Sequence, residues 1–261
     1  MRKRVGKILG MGILLCTMDS HLIWAQDYKD VSWDAPRPQD SAYYSMRERN
    51  NTPPFGLAKV TKLIDRRLED LPGEALIDYD AGISNTEFER LTLEEKFTYT
   101  MIHPEVFSQA CAERMFMFDP QRKIFGHLLF VYNGVFWSER QLGFMKKNRN
   151  KVVGWIMDLT SKNKELGLNY KSALVEIDAW ESIPFLIDFY KRKPEDLDVL
   201  TTLMLMMSKD KSVDFQQSNV FKKLYGEDAN YDSWIALTAA NEKYILYTAQ
   251  QYYQYRQELP R

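Results

Sequence analysis

The chain has 261 residues, 45% of them hydrophobic and 27% charged, which is enough apolar side chain to bury a sizeable core. Its 35 Lys and Arg against 36 Asp and Glu give a formal charge of −1, so no global field draws it to nucleic acid or to an anionic membrane. A charged partner has to be met by a local patch.

Residues 1–25 differ from the rest. Arg2, Lys3, Arg4 and Lys7 form a basic start, and the apolar run from Ile8 to Met18 is too short to span a bilayer. The pattern is that of a signal peptide, with Ile23-Trp24-Ala25 preceding a cut before Gln26, and it predicts a periplasmic or extracellular protein. A lipoprotein route would acylate Cys16. Leu15 stands where that peptidase requires a small residue, so cleavage before Gln26 is favoured over a lipid anchor at Cys16. The mature chain then keeps one cysteine, Cys111, and two histidines, His103 and His127. An intramolecular disulfide is impossible in it, and stability has to come from packing. No later segment is long and apolar enough to cross a membrane.

Residues 26–55 are polar, carry Pro36, Pro38, Pro53 and Pro54, and show no helical period of apolar residues; they read as an extended arm. Val60, Leu63, Ile64, Leu68 and Leu71 predict a first helix over 57–71, stopped by Pro72-Gly73. Thr92-Leu93-Glu94-Glu95 is a capping box that starts a second. Beyond Pro104, the spacing of Val106, Phe107, Ala110, Cys111, Met115 and Phe118 predicts a further helix. Lys123 to Trp137 is expected as a buried irregular segment, with a hairpin about Asn133-Gly134 as the alternative. From there the pattern is helical to the end: a stripe of Leu142, Met145, Val152, Ile156 and Leu159, helices over 170–180, 183–190 and 197–207, a short one ending at Gly226, and a long one over 232–258. Short loops predict a mainly α fold, an array of antiparallel helices forming one helical domain over 56–261. Within it, IPFLIDFYKRKPEDLDVLTTLMLMM, Ile183 to Met207, resembles one HEAT-type repeat, a likeness that implies a helical scaffold with a partner-binding face.

The densest chemistry lies in TMIHPEVFSQACAERM, Thr100 to Met115. Cys111 is in phase with Val106, Phe107 and Met115, which makes it a core thiol rather than a nucleophile. His103, Glu105 and Ser108 are the candidates for acid–base or nucleophilic work, without a GxSxG elbow to support them. His103 and His127 with Glu105 and Glu113 are too few and too irregularly spaced for a metal site, and no glycine-rich phosphate cradle occurs. Lys146 to Lys151, KKNRNK, reads as a solvated helix face. The last helix carries Tyr244, Tyr247, Tyr252, Tyr253 and Tyr255, more rings than one face can bury, and the surplus hints at a carbohydrate or protein contact surface. The expected role is therefore an exported, non-catalytic envelope protein that binds a protein or glycan, with no cofactor, metal or nucleic acid. The competing expectation is an envelope hydrolase using His103 with Glu105 or Ser108.

Overall fold

The computed structural model describes residues 31–33, 35–69, 78–108, 115–129, 135–209 and 214–259. The signal peptide with Cys16, the Pro72-Gly73 stop, Cys111 with Glu113, and the Asn133-Gly134 turn all lie outside them. In chain order the strands are β1 (Val31–Ser32), β2 (Asp78–Asp80), β3 (Val106–Ser108), β4 (Phe116–Met117), β5 (Lys123–Phe125), β6 (Val135–Phe136) and β7 (Trp234–Ala236). The helices are α1 (Pro38–Glu48), α2 (Leu57–Glu69), α3 (Asn85–Glu89), α4 (Leu93–Ile102), α5 (Glu139–Lys147), α6 (Arg149–Asn163), α7 (Leu168–Glu176), α8 (Ile183–Arg192), α9 (Asp198–Ser208), α10 (Asn219–Tyr225) and α11 (Ala239–Glu258). The fold is mainly helical, as expected, and among the described residues no helix is long and apolar enough to cross a membrane.

The core centres on α9. Its LTTLMLMM run is apolar nearly all round, and such a helix is stable in water only when surrounded. α7, α8, α11 and β5 surround it, and Leu200, Leu203, Met204, Met206 and Met207 are fully buried. α8 and α9, joined by a short turn, pack on each other.

Five stretches differ from the sequence reading. Within the segment expected to be extended, Pro38 opens α1 at its first turn, where its missing N–H costs nothing. The face that α1 buries, Asp40, Tyr44 and Arg47, is helically spaced but polar, so no apolar period announced it. Val106 to Phe118 is not a helix where described. Pro104 cannot extend α4, His103 is already out of helical conformation, and β3 pairs antiparallel with both β2 and β6 while β4 pairs with β1. Lys123 to Trp137 supplies two strands that pair with distant partners rather than with each other: β5 with β7, and β6 with β3. The last helix starts after Thr238, whose hydroxyl accepts from Asn241 N, and leaves Trp234-Ile235 in β7. The stripe from Leu142 to Leu159 is divided between α5 and α6 at Asn148, whose side chain donates to Phe144 O at 2.9 Å.

Two buried ion pairs tie α1 and α7 to the start of α9. Arg47 Nε lies 3.1 Å from both oxygens of Asp198, with Nη2 at 2.9 Å, and its guanidinium sits 4.2 Å from the centre of the Phe125 ring. Lys171 Nζ bonds Asp196 at 2.7 Å. Burial pushes the Asp196 carboxyl above its ordinary range, and Lys171 pulls it back. Just beyond α1, Asn51 and Asn169 exchange hydrogen bonds of 2.9 and 2.8 Å, and Leu168 N donates to Arg49 O at 2.7 Å. Gly167 is what permits this approach: a Cβ there would lie 2.7 Å from Asn51 N and 2.8 Å from Arg49 O.

Replacing Arg47 with methionine strands the Asp198 charge in the interior and is expected to cost about 3 to 5 kcal/mol in denaturant unfolding. The double variant Arg47→Met, Asp198→Leu removes both charges and should recover most of that loss. Equal losses in the single and double variants would mean that the ion pair is not what joins α1 to α9.

Candidate functional site

α4 begins on the expected capping box, with Glu95 N donating to Thr92 Oγ1 at 3.2 Å and Thr92 N to Glu95 Oε2 at 2.9 Å. It ends at His103, because Pro104 cannot continue it, and Pro104 leads into β3. His103 Nε2 lies 3.0 Å from Ala81 O, which can only accept, so this nitrogen carries the ring proton. Gln141 Nε2 donates to His103 O at 2.8 Å.

Glu105 is 1% exposed and saturated by donors. Tyr99 OH donates at 2.7 Å, Arg140 Nε at 3.0 and 2.9 Å, and Ser138 Oγ and Arg140 Nη2 also bond it. Arg140 continues to Asn85 Oδ1 at 2.7 Å and Ile83 O at 2.5 Å, and lies 4.8 Å from the centre of the Phe88 ring. Burial, then the Glu105 charge, hold the Tyr99 phenol far above its ordinary value. Burial works against the Arg140 charge, but its bonds and charge interaction with Glu105 outweigh that and raise its pKa. Among the described residues, His103 and Glu105 share no hydrogen bond. The structure describes only the backbone of Ser108, paired with Asp78 across β2 and β3.

In this corner one buried carboxylate, Glu105, gathers α3, α4, β3 and α5. The partners it needs, Tyr99, Ser138 and Arg140, were not singled out from sequence. The Ser138-x-x-Gln141 capping box was a readable sign that the chain turns there. His127 stands apart from this corner, stacked on Tyr231 with ring centres 4.9 Å apart and edge-on to Tyr225 at 5.6 Å. Burial lowers its pKa, and Asp232 partly offsets this. Among the described residues, no three His, Cys, Asp or Glu side chains converge as metal ligands would. In the basic run, Arg149 is tied to Ile177 O at 2.8 Å, to Asp178 O and to Glu181, while Lys146, Lys147 and Lys151 are exposed.

The surface feature that remains lies between α8 and α11. Tyr252 is fully buried on α11, its hydroxyl accepting from Arg256 at 2.5 Å, and Tyr253 packs on Trp180 at 5.9 Å. Tyr247 is 63% exposed. It edges an open groove of about 520 Å³ with Ile187, Ala239 and Leu246 as apolar lining. Lys191, Glu242, Lys243 and Gln250 supply its polar groups. Such a volume is typical of small-ligand sites, which combine an apolar lining with a few polar groups. In comparisons by sequence and by structure, no family model, curated protein or solved structure matches the chain.

Changing Glu105 to alanine leaves Arg140 and Tyr99 without their shared acceptor and is expected to destabilise the fold by about 3 to 5 kcal/mol in chemical denaturation. An unchanged unfolding midpoint would remove the structural assignment and return Glu105 to the candidates for chemistry.

Proposed function

We propose that the protein is an exported, non-catalytic envelope protein that binds an oligosaccharide in the groove between α8 and α11. The observation that carries the reading is Tyr247, a large ring left mostly in water beside an apolar floor, with carboxylate, amide and ammonium groups around it. A sugar ring offers an apolar face for stacking and a rim of hydroxyls for polar side chains, and this groove has both kinds of group. Its size suits a few sugar units better than a protein partner, which needs a total buried area above about 1,000 Å². Binding is favoured over a hydrolase centred on His103 because Glu105 is buried and fully engaged by donors. The basic start, the apolar run and Ile23-Trp24-Ala25 support export.

One preparation tests both parts. Protein recovered from the exported fraction should begin at Gln26 on N-terminal sequencing. By calorimetry it should bind members of an oligosaccharide panel, and Tyr247→Ala should weaken binding about tenfold or more at unchanged thermal stability, with Tyr247→Phe close to the parent. A start at acylated Cys16 or full-length protein in the cytosol would refute cleavage before Gln26. No binding across the panel, or binding indifferent to Tyr247, would refute the glycan reading.

A further inference from the structure

Resting on the reading of the groove as a glycan site, we infer that it recognises sugars with two free hydroxyls on adjacent ring carbons, held by the Glu242 carboxylate. A glycan presents hydroxyl protons along its rim, and the groove has to accept them. Lys191 and Lys243 can only donate hydrogen bonds, while Gln250 and the Tyr247 hydroxyl both donate and accept. Glu242 alone among the lining side chains offers a carboxylate, two acceptor oxygens side by side. Two adjacent hydroxyls match that pair of acceptors, and a hydrogen bond to a charged oxygen is about twice as strong as a neutral one.

The carboxylate is held from the neighbouring helix. Tyr190 of α8 is 2% exposed, and its hydroxyl hydrogen-bonds Glu242 where α8 packs on α11. Burial, then the Glu242 charge, hold the Tyr190 phenol above its ordinary value, so it keeps its proton and donates. That bond takes one of roughly four lone-pair sites on the carboxylate and leaves the others for a ligand. Glu242 forms no ion pair among the described residues, although Lys191 and Lys243 line the same groove. An acid in the first turn of α11 suits the helix N-terminus by itself. That preference asks nothing of α8, whereas the Tyr190 hydroxyl limits where the carboxylate can swing. Tyr247 lies five residues further along α11, about 7.5 Å along its axis, and helical side chains lean toward the N-terminus, here toward Glu242. A sugar stacked on the Tyr247 ring therefore brings its rim of hydroxyls to this carboxylate.

The test is calorimetry of the purified full chain with tetramers of glucose, mannose and galactose, each in its free form and O-methylated at one hydroxyl of every adjacent pair. Whichever free tetramer binds best should lose roughly tenfold in affinity on methylation. Glu242→Ala should weaken the free form by a similar factor and leave methylation with little further effect, because the lost bonds are the same ones. Tyr190→Phe, which removes only the hydroxyl that orients the carboxylate, should give a smaller loss with a correspondingly smaller methylation effect. Free and methylated forms that bind alike would overturn the inference and leave the glycan reading standing, and this contrast is read on the parent protein whether or not a variant folds. A methylation loss that persists in full in folded Glu242→Ala would overturn it too, since the methyl group would then act by bulk alone. Binding of none of the tetramers would overturn both readings.

Discussion

A guanidinium taken out of water needs a carboxylate in one defined place, and the Arg47–Asp198 contact imposes that requirement on this fold. Arg47 is 2% exposed and Asp198 1%. Apolar residues of similar size could fill the same space with little loss of stability, and what the ion pair adds is a unique docking position. Leucine on leucine tolerates a slip along the helix, whereas a bidentate pair does not. The pair fixes α1 against the first turn of α9, and Lys171–Asp196 fixes α7 against the turn before it. α9 then presents its apolar surface to α8 and α11, the helices that frame the groove.

The helical half of the chain was legible because its determinants are local. Capping boxes, apolar stripes and the Gly226 stop all act within a few residues, and α2, α4, α8, α9 and α10 lie close to where those signals put them. The missed elements depend on distant partners. β3 exists because β2 and β6 lie beside it, and β5 because β7 does; the spacing of Val106 and Phe107 suits a helix as well as a strand until those neighbours are known. α1 was missed for another reason. Its buried face is charged, and a search for apolar period cannot find a helix that buries Asp40 and Arg47.

The same division holds for the candidate residues. His103 and Glu105 stood out because acids and imidazoles are rare inside proteins unless they are needed, and they are needed here. Glu105 takes donors from α4 and α5, and the His103 ring N–H donates a hydrogen bond to the carbonyl of Ala81 before α3. The density of polar chemistry in one short stretch therefore marked a junction of several chain segments. In the last helix, burial accounts for Tyr252 and packing on Trp180 for Tyr253, while neither accounts for Tyr247.

The dependence of the helical array on the docked α1 is tested most directly by native-state hydrogen exchange resolved to single amides. If Arg47–Asp198 makes α1 part of the cooperative core, the interior amides of α1 exchange with the same opening free energy as those of α9, and both follow global stability as denaturant is added. Amides of α1 that exchange through a separate low-energy opening, while α9 stays protected, would show that the core stands without it.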